Sequence, residues 1–318
     1  MLSLDATVVL LTPVVLAAAV RAGVRPGPAL SACVRLANSS SLLLPVSNLT
    51  TLLTLNSLDL SLGRFALLMA PAWVAVIAVE YAGHRLFYAR DLRIERSAVL
   101  LLPDAEPIPV PRLPLVVVAF MLLGFVGTSL VGIGAAWGAA WVALAAAVVL
   151  TGNALVTRSG AWSGAPGPVG RAVHSAHLGF AVFVLGLGVV VDALARGRFG
   201  ELVARLLPDG TALADLIWLA LVATVLANLL NNLPATLLLI PLVAPMGTVA
   251  VLATLIGLNV GASLTWTGSL ANLLWRRTLA RAGVRPSGKE FHAMACITVP
   301  AGVAVGVVAV WATAGILA

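Results

Sequence analysis

Amide and hydroxyl side chains gather at two places in a 318-residue chain that is otherwise strongly apolar: PVSNLTTLL at residues 45–53 and TWTGSLANLL at residues 265–274. Ser47, Asn48, Thr50, Thr265, Ser269 and Asn272 supply neutral donors and acceptors there, the groups that replace water around a small polar solute. Gly268 stands where a helix would break. Both stretches interrupt runs that otherwise read as membrane helices. Unsatisfied backbone is costly in hydrocarbon, so a span is broken only where it lines a cavity or is buried in protein. Two more polar points stand at the ends of apolar stretches: Ser3 and Asp5 at the start of the chain, and Asn231 and Asn232 in the segment NNLPAT. Paired interruptions in corresponding halves point to a secondary carrier with its site near the bilayer midplane.

The elements that must position these groups are helices. The chain is 61% apolar and only 10% charged, well beyond the roughly 45–50% apolar content of soluble domains. Its runs match the roughly 20 apolar residues of a helical span, not the alternating segments of a barrel. Spans are expected at 3–20, 28–58, 65–87, 113–134, 137–156, 175–194, 249–284 and 291–316, with a weakly amphipathic segment at 198–207. The stretches 212–229 and 233–246 are short and flank the polar tip at 231–234, so they read as a re-entrant hairpin. The charged stretch 88–112 divides the chain, and 157–170, TRSGAWSGAPGPVG, reads as a connector. The expected fold is an all-α polytopic membrane protein with inverted repeats, re-entrant hairpins and broken helices. Its first repeat spans 1–87 and is incomplete, a cytoplasmic linker covers 88–112, and the second repeat spans 113–318.

The net charge of +7 does not indicate nucleic acid, because the arginines cluster between apolar runs with no aromatic-basic face. They report topology. With 21–27, 88–112, 157–171 and 276–290 in the cytoplasm, the opposite side receives only Arg64, Arg196, Arg198 and Arg205, as the positive-inside rule requires. The C-terminus is then extracytoplasmic, and the two hairpins enter from opposite sides.

SLDATVVLLTPVV, PVSNLTTLLT, NNLPAT and GASLTWTGSLANLLWRR resemble the signature segments of the arsenite permeases, the arsenical pump membrane proteins. Those belong to the ion transporter superfamily, with citrate and dicarboxylate carriers and sodium/proton antiporters. The likeness covers nearly the whole chain. It departs at Leu4, where the superfamily often has asparagine, and at Ala262 and Trp266, where the permeases often have proline. The resemblance implies a transport site built from hairpin tips and broken helices: Ser3, Asp5, Ser47, Asn48, Thr50, Asn231, Asn232, Thr265, Gly268, Ser269 and Asn272. It also implies about three helices and half a hairpin before the first tip, which the chain as given lacks.

The function expected is arsenite or antimonite efflux, driven by protons or energised by a separate ATPase subunit. The alternatives are a sodium/proton antiporter, a citrate or dicarboxylate carrier, or a truncated, inactive membrane remnant. Arsenous acid is a neutral trihydroxide, which amides and hydroxyls suit without net charge. Asp5, the only acid at either tip, is the candidate for the coupling proton or cation, or else a terminal surface group. The partners expected are the lipid bilayer of an inner membrane and a small inorganic or organic ion, with the oligomeric state open.

Other polar groups have plainer readings. Glu80, Asp192 and Asp215 fall toward span ends and are expected to snorkel, and Arg35 either snorkels or meets an anionic ligand. Asn38 and Ser39 to Ser41 read as helix-packing contacts, as does the glycine-dense run at 124–133. His84, His174, His177 and His292 sit at span edges without metal-ligand spacing, and Cys33 and Cys296 read as small core residues. No metal site, cofactor motif or enzymatic constellation is present.

Overall fold

Some helices of this protein start where a side-chain oxygen, as at Ser61, Asn231 and Ser269, accepts a backbone N–H that the helix end leaves open. The computed structural model describes residues 4–55, 57–58, 60–91, 112–130, 135–156 and 178–317, and the regular structure among them is all helical. Most of the linker at 88–112 lies outside the described residues, as do the connector at 157–170, His174 and His177.

In chain order the helices are α1 (Leu4–Arg21), α2 (Pro26–Ser40), α3 (Leu49–Leu55) and α4 (Leu62–Phe87), then α5 (Arg112–Leu130), α6 (Ala135–Val156), α7 (Leu178–Ala195) and α8 (Arg198–Leu206). They continue as α9 (Leu213–Leu230), α10 (Asn232–Val243), α11 (Thr248–Asn259), α12 (Leu270–Arg281) and α13 (Gly288–Leu317). Three of them, Leu62–Phe87, Leu213–Leu230 and the Gly288–Gly315 part of α13, are long and apolar enough to cross a bilayer by themselves, so the first arm of the expected re-entrant hairpin, at 212–229, is not too short to span. The protein is an all-helical polytopic membrane protein. Its outer surface carries exposed Leu10, Leu67, Phe120, Leu123, Leu185, Val189 and Leu229, a composition suited to hydrocarbon rather than water.

The broken spans are visible in local chemistry. Pro26 opens α2 at a position where its missing N–H costs nothing. At the other end, the Ser41 hydroxyl turns back to donate to the Asn38 carbonyl at 2.6 Å. A 3₁₀ turn at Pro45–Ser47 follows, and Asn48 Oδ1 accepts the Thr50 N–H at 3.2 Å to start α3. The second break has the same form. After α11 comes a 3₁₀ turn at Gly261–Leu264, and Ser269 Oγ accepts the Asn272 N–H at 3.2 Å to start α12.

Two series of elements therefore match: α1, α2, turn, α3, α4, and α10, α11, turn, α12, α13. Their contacts are reciprocal. α1 packs on α12 while α10 packs on α3, α2 meets α12 while α11 meets α3, and α4 lies along α13 in the most extensive helix pair. Every residue of α11 from Ala250 to Asn259 is buried, so this apolar helix forms the centre of the core against α9 and α13. Gly257 permits the approach, since a Cβ there would overlap the Ala220 carbonyl of α9.

Some expectations are corrected by packing. Arg35 and Glu80 do not snorkel: they are 0% and 1% exposed. Asp192 does reach the surface, pairing with Arg196 at 2.8 Å, and Asp215 accepts the Ala212 N–H at 3.0 Å at the start of α9. Cys33 is half-buried, but Cys296 is exposed and not a core residue. Of the glycine-dense run, Gly124 of α5 packs closely, a Cβ there lying 3.1 Å from Val142 of α6, whereas a Cβ at Gly127 would meet open space.

Candidate functional site

The second hairpin tip is a single residue. Asn231 alone separates α9 from α10, with φ 81° and ψ 152°, a region that side-chain-bearing residues rarely occupy. Its amide holds the turn: Oδ1 accepts the Leu233 N–H at 3.4 Å and Nδ2 donates to the Thr267 carbonyl at 3.0 Å. The next N–H, of Asn232, donates to the Gly268 carbonyl at 2.8 Å. Gly268 must lack a side chain, because a Cβ would overlap the Ala262 carbonyl. Asn228, one turn earlier, bridges the same break, accepting from the Thr265 N–H at 3.0 Å and hydroxyl at 2.8 Å while donating to the Gly261 carbonyl at 2.9 Å.

The two breaks then interlock through amides. Asn272 is fully buried; it donates to the Ala262 and Thr265 carbonyls at 3.0 and 2.8 Å, and its Oδ1 accepts from Asn38 Nδ2 at 2.8 Å. On the other side, Asn259 Oδ1 accepts from Asn48 Nδ2 and the Thr50 hydroxyl, both at 2.9 Å, and Asn259 Nδ2 donates to the Thr51 hydroxyl at 3.2 Å. Each contact joins the end of one half-helix to the start of the opposite one: α2 to α12, and α11 to α3. Asn38 Oδ1, Ser39 Oγ and Ser263 Oγ are buried with no hydrogen-bond partner among the described residues. Amides and hydroxyls make up this junction, and no charged side chain enters the bonds that join it.

One turn before Asn38 lies a buried ion pair. Arg35 Nε donates to Glu80 Oε2 at 3.0 Å and Nη2 to Oε1 at 3.2 Å, joining α2 to α4, and Nη2 also donates to the Thr298 hydroxyl of α13. An ionised side chain buried in a spanning segment is costly, and an opposed charge offsets part of that cost. Glu80 lines a cavity of about 450 Å³ together with Tyr81, His84, Arg85, Tyr88, Arg25 and Asp91. At its outer end, Arg25 bonds Glu290 and sits 3.3 Å from Asp91. Hydrogen bonds to those carboxylates, Glu290 first, hold the Arg25 guanidinium above its ordinary value, and burial pushes the Tyr88 phenol up.

The sequence profile of the CitMHS family, described as "Citrate transporter", matches residues 1–256. The chain belongs to the CitMHS family. It is a multi-pass membrane transporter, which works in contact with a lipid bilayer and an ion substrate. This CitMHS chain is 28% identical to the arsenical pump membrane proteins of Escherichia coli K12, Shigella flexneri and Yersinia enterocolitica, over 93% of its own length and 70% of theirs. No solved structure matches it.

Of the residues singled out in this CitMHS sequence, Asn48, Thr50, Asn232, Gly268, Ser269 and Asn272 are buried at the crossing or at the tip beside it, while Ser47, Asn231 and Thr265 are half-buried there. Ser47 turns inward on its own break, donating to the Ser41 and Leu44 carbonyls. Ser3 lies outside the described residues, and Asp5 falls in the first turn of α1 with its side chain outside them. Asn38 makes the helix-packing contact expected of it, and does so within the junction, whereas Asn228 and Asn259 are junction residues that the sequence does not single out. Asparagine within an otherwise apolar helix was the signal available for the latter two.

Proposed function

We propose that this protein is an arsenite or antimonite efflux carrier, moving the metalloid as a neutral hydroxide through the asparagine-lined junction of its two broken helices. The supporting observation is the chemistry of that junction: Asn38, Asn48, Asn259 and Asn272 meet as neutral amides, with buried unpartnered oxygens at Asn38, Ser39 and Ser263. A trihydroxide exchanges hydrogen bonds with such groups without a counter-charge. The printed names of the relatives favour the same substrate.

In this reading Ser3, Asp5, Ser47, Asn48, Thr50, Asn231, Asn232, Thr265, Gly268, Ser269 and Asn272 form the transport pathway. Residues 1–87 and 113–318 are inverted repeats joined by a cytoplasmic linker at 88–112. The membrane is the inner membrane, and the C-terminus is extracytoplasmic. Protons or a separate ATPase subunit supply the driving force.

A citrate-type anion carrier is the second reading, favoured by the family's description. A multivalent anion would require cationic groups at the junction, and Arg35 is the nearest one along α2. Metalloid accumulation in arsenite-sensitive cells expressing the full reading frame separates the two. Efflux lowers cell arsenite, and the Asn48→Ala and Asn272→Ala variants lose at least about tenfold of that protection, the loss of one or more buried hydrogen bonds. Citrate uptake with unchanged arsenite content would reject the metalloid reading.

A further inference from the structure

The Arg35–Glu80 pair performs no task in the junction of amides, yet it holds two opposite charges at membrane depth between three helices. One of the two partners, Glu80, also lines a cavity. That cavity lies between α2 and α4, and its wall runs through His84 and Arg85 to Arg25 and Asp91 beyond the helix ends. His84 sits one turn from Glu80 on α4, its Nδ1 3.1 Å from the Glu80 carbonyl oxygen. A carbonyl oxygen only accepts, so Nδ1 donates in that contact and Nε2 is the acceptor of the neutral ring; Nε2 is buried without a partner among the described residues. Arg35 also holds one unused donor, Nη1. Asn38, which joins α2 to α12, lies one turn further along the helix that carries Arg35.

We propose that Glu80 is the proton-carrying carboxyl of this transporter, alternating between the ion pair with Arg35 and a neutral acid that exchanges protons with the cavity past His84. The proposal rests on the secondary-transporter reading and deepens it by naming the coupling ion and its residue. A proton entering from the cavity forms one O–H bond, on Oε1 or Oε2. Arg35 keeps its charge and loses its anionic acceptor, so the site passes from neutral to a single positive charge. A lone buried guanidinium is unfavourable in hydrocarbon, so protonation drives Arg35, and α2 with it, toward another partner or toward the interface. Because α2 ends in the Asn38–Asn272 bond, that displacement reaches the junction.

The groups facing Glu80 are few. α2 contributes Arg35, with Arg25 at its start, and α13 contributes the Thr298 hydroxyl, with Glu290 and His292 at its own start. α4 itself contributes Tyr81, His84, Arg85 and Tyr88, with Asp91 just beyond its end. The described side chains of α5 are apolar or hydroxyl, and the turn at Pro45–Ser47 has no titratable group.

The test uses the full chain in proteoliposomes, with two readouts. Infrared difference spectra on acidification report protonated carboxyl groups without any substrate. Antimonite movement is measured both as exchange at equal concentrations and as accumulation driven by a pH gradient. Because Glu80→Gln leaves Arg35 unpaired and threatens folding, the charge-neutral double variant Arg35→Gln/Glu80→Gln is the principal comparison, and Glu80→Asp retains the carboxyl. The wild type and Glu80→Asp should show a buried-carboxyl band that the double variant lacks. The double variant should exchange antimonite while losing its acceleration by the pH gradient. Identical infrared spectra for wild type and double variant, or undiminished gradient-driven accumulation in the double variant, overturn the proposal. If the wild type moves no antimonite at all, the metalloid reading fails, and the infrared spectra alone decide the role of Glu80.

Discussion

Two arginines ten positions apart show how depth decides what a charge is worth. Arg25 is 49% exposed on its side chain and pairs with Asp91 and Glu290 in contact with solvent, where such pairs contribute about 0–1 kcal/mol. Arg35 and Glu80 are each 1% exposed on their side chains, and removing one member of such a pair costs about 3–5 kcal/mol because the other is left buried and unpaired. Melting in detergent should therefore place Arg25→Gln within about 1 kcal/mol of wild type. Arg35→Gln and Glu80→Gln should each be strongly destabilised, with the double variant recovering most of the loss. A double-variant loss equal to the sum of the two single losses would mean that the two charges do not interact. Tyr88 yields a prediction of opposite visibility, at alkaline pH. Burial raises its phenol above the ordinary 10.0, so the folded chain holds that proton more tightly than the unfolded chain. Its contribution is complete below pH 10.0 and is lost as pH rises through the raised folded value. Tyr88→Phe should lack that part of the alkaline decline in melting temperature.

At the scale of elements, the half-helices α3, α11 and α12 are too short to cross a bilayer, at 7, 12 and 12 residues. Each is stable only because its open end finds a side-chain cap or a neighbouring amide, and because its flank is packed. The α9–α11 contact makes this testable. A side chain at Gly257 meets backbone of α9, which cannot swing aside as a side-chain tip would. Gly257→Leu should cost about 1–3 kcal/mol or more by overpacking, read as a lower melting point in detergent. Gly315, where an added Cβ meets open space, should accept alanine with little change.

For the whole molecule, the reciprocal contacts of α1 with α12 and α10 with α3 set a geometric condition on any transport motion. Asn38–Asn272 and Asn48–Asn259 tie the two broken helices on either side of their breaks, so moving one without its opposite costs those hydrogen bonds. The arginine asymmetry predicts the orientation proposed for this assembly. A C-terminal alkaline phosphatase fusion should be active and a C-terminal fluorescent fusion dark, with the reverse pattern rejecting the extracytoplasmic C-terminus.

Sequence alone determined where the helices lie and where two of them break, because hydrocarbon admits a polar interruption only where protein or a cavity surrounds it, and TWTGSLANLL is such an interruption on its face. It also singled out Asn48 and Asn272, since amides in a span are conspicuous. The tertiary structure decided which amides meet: Asn48 finds Asn259 across 211 positions and Asn38 finds Asn272 across 234. For Arg35 and Glu80, considered one helix at a time, the interface was the nearest relief for each charge. Packing of α2 on α4 instead set them against each other from 45 positions apart. Hydropathy is a property of a segment and can be read along the chain, whereas the partner of a buried polar group depends on which helices are neighbours, and only the packed structure contains that information.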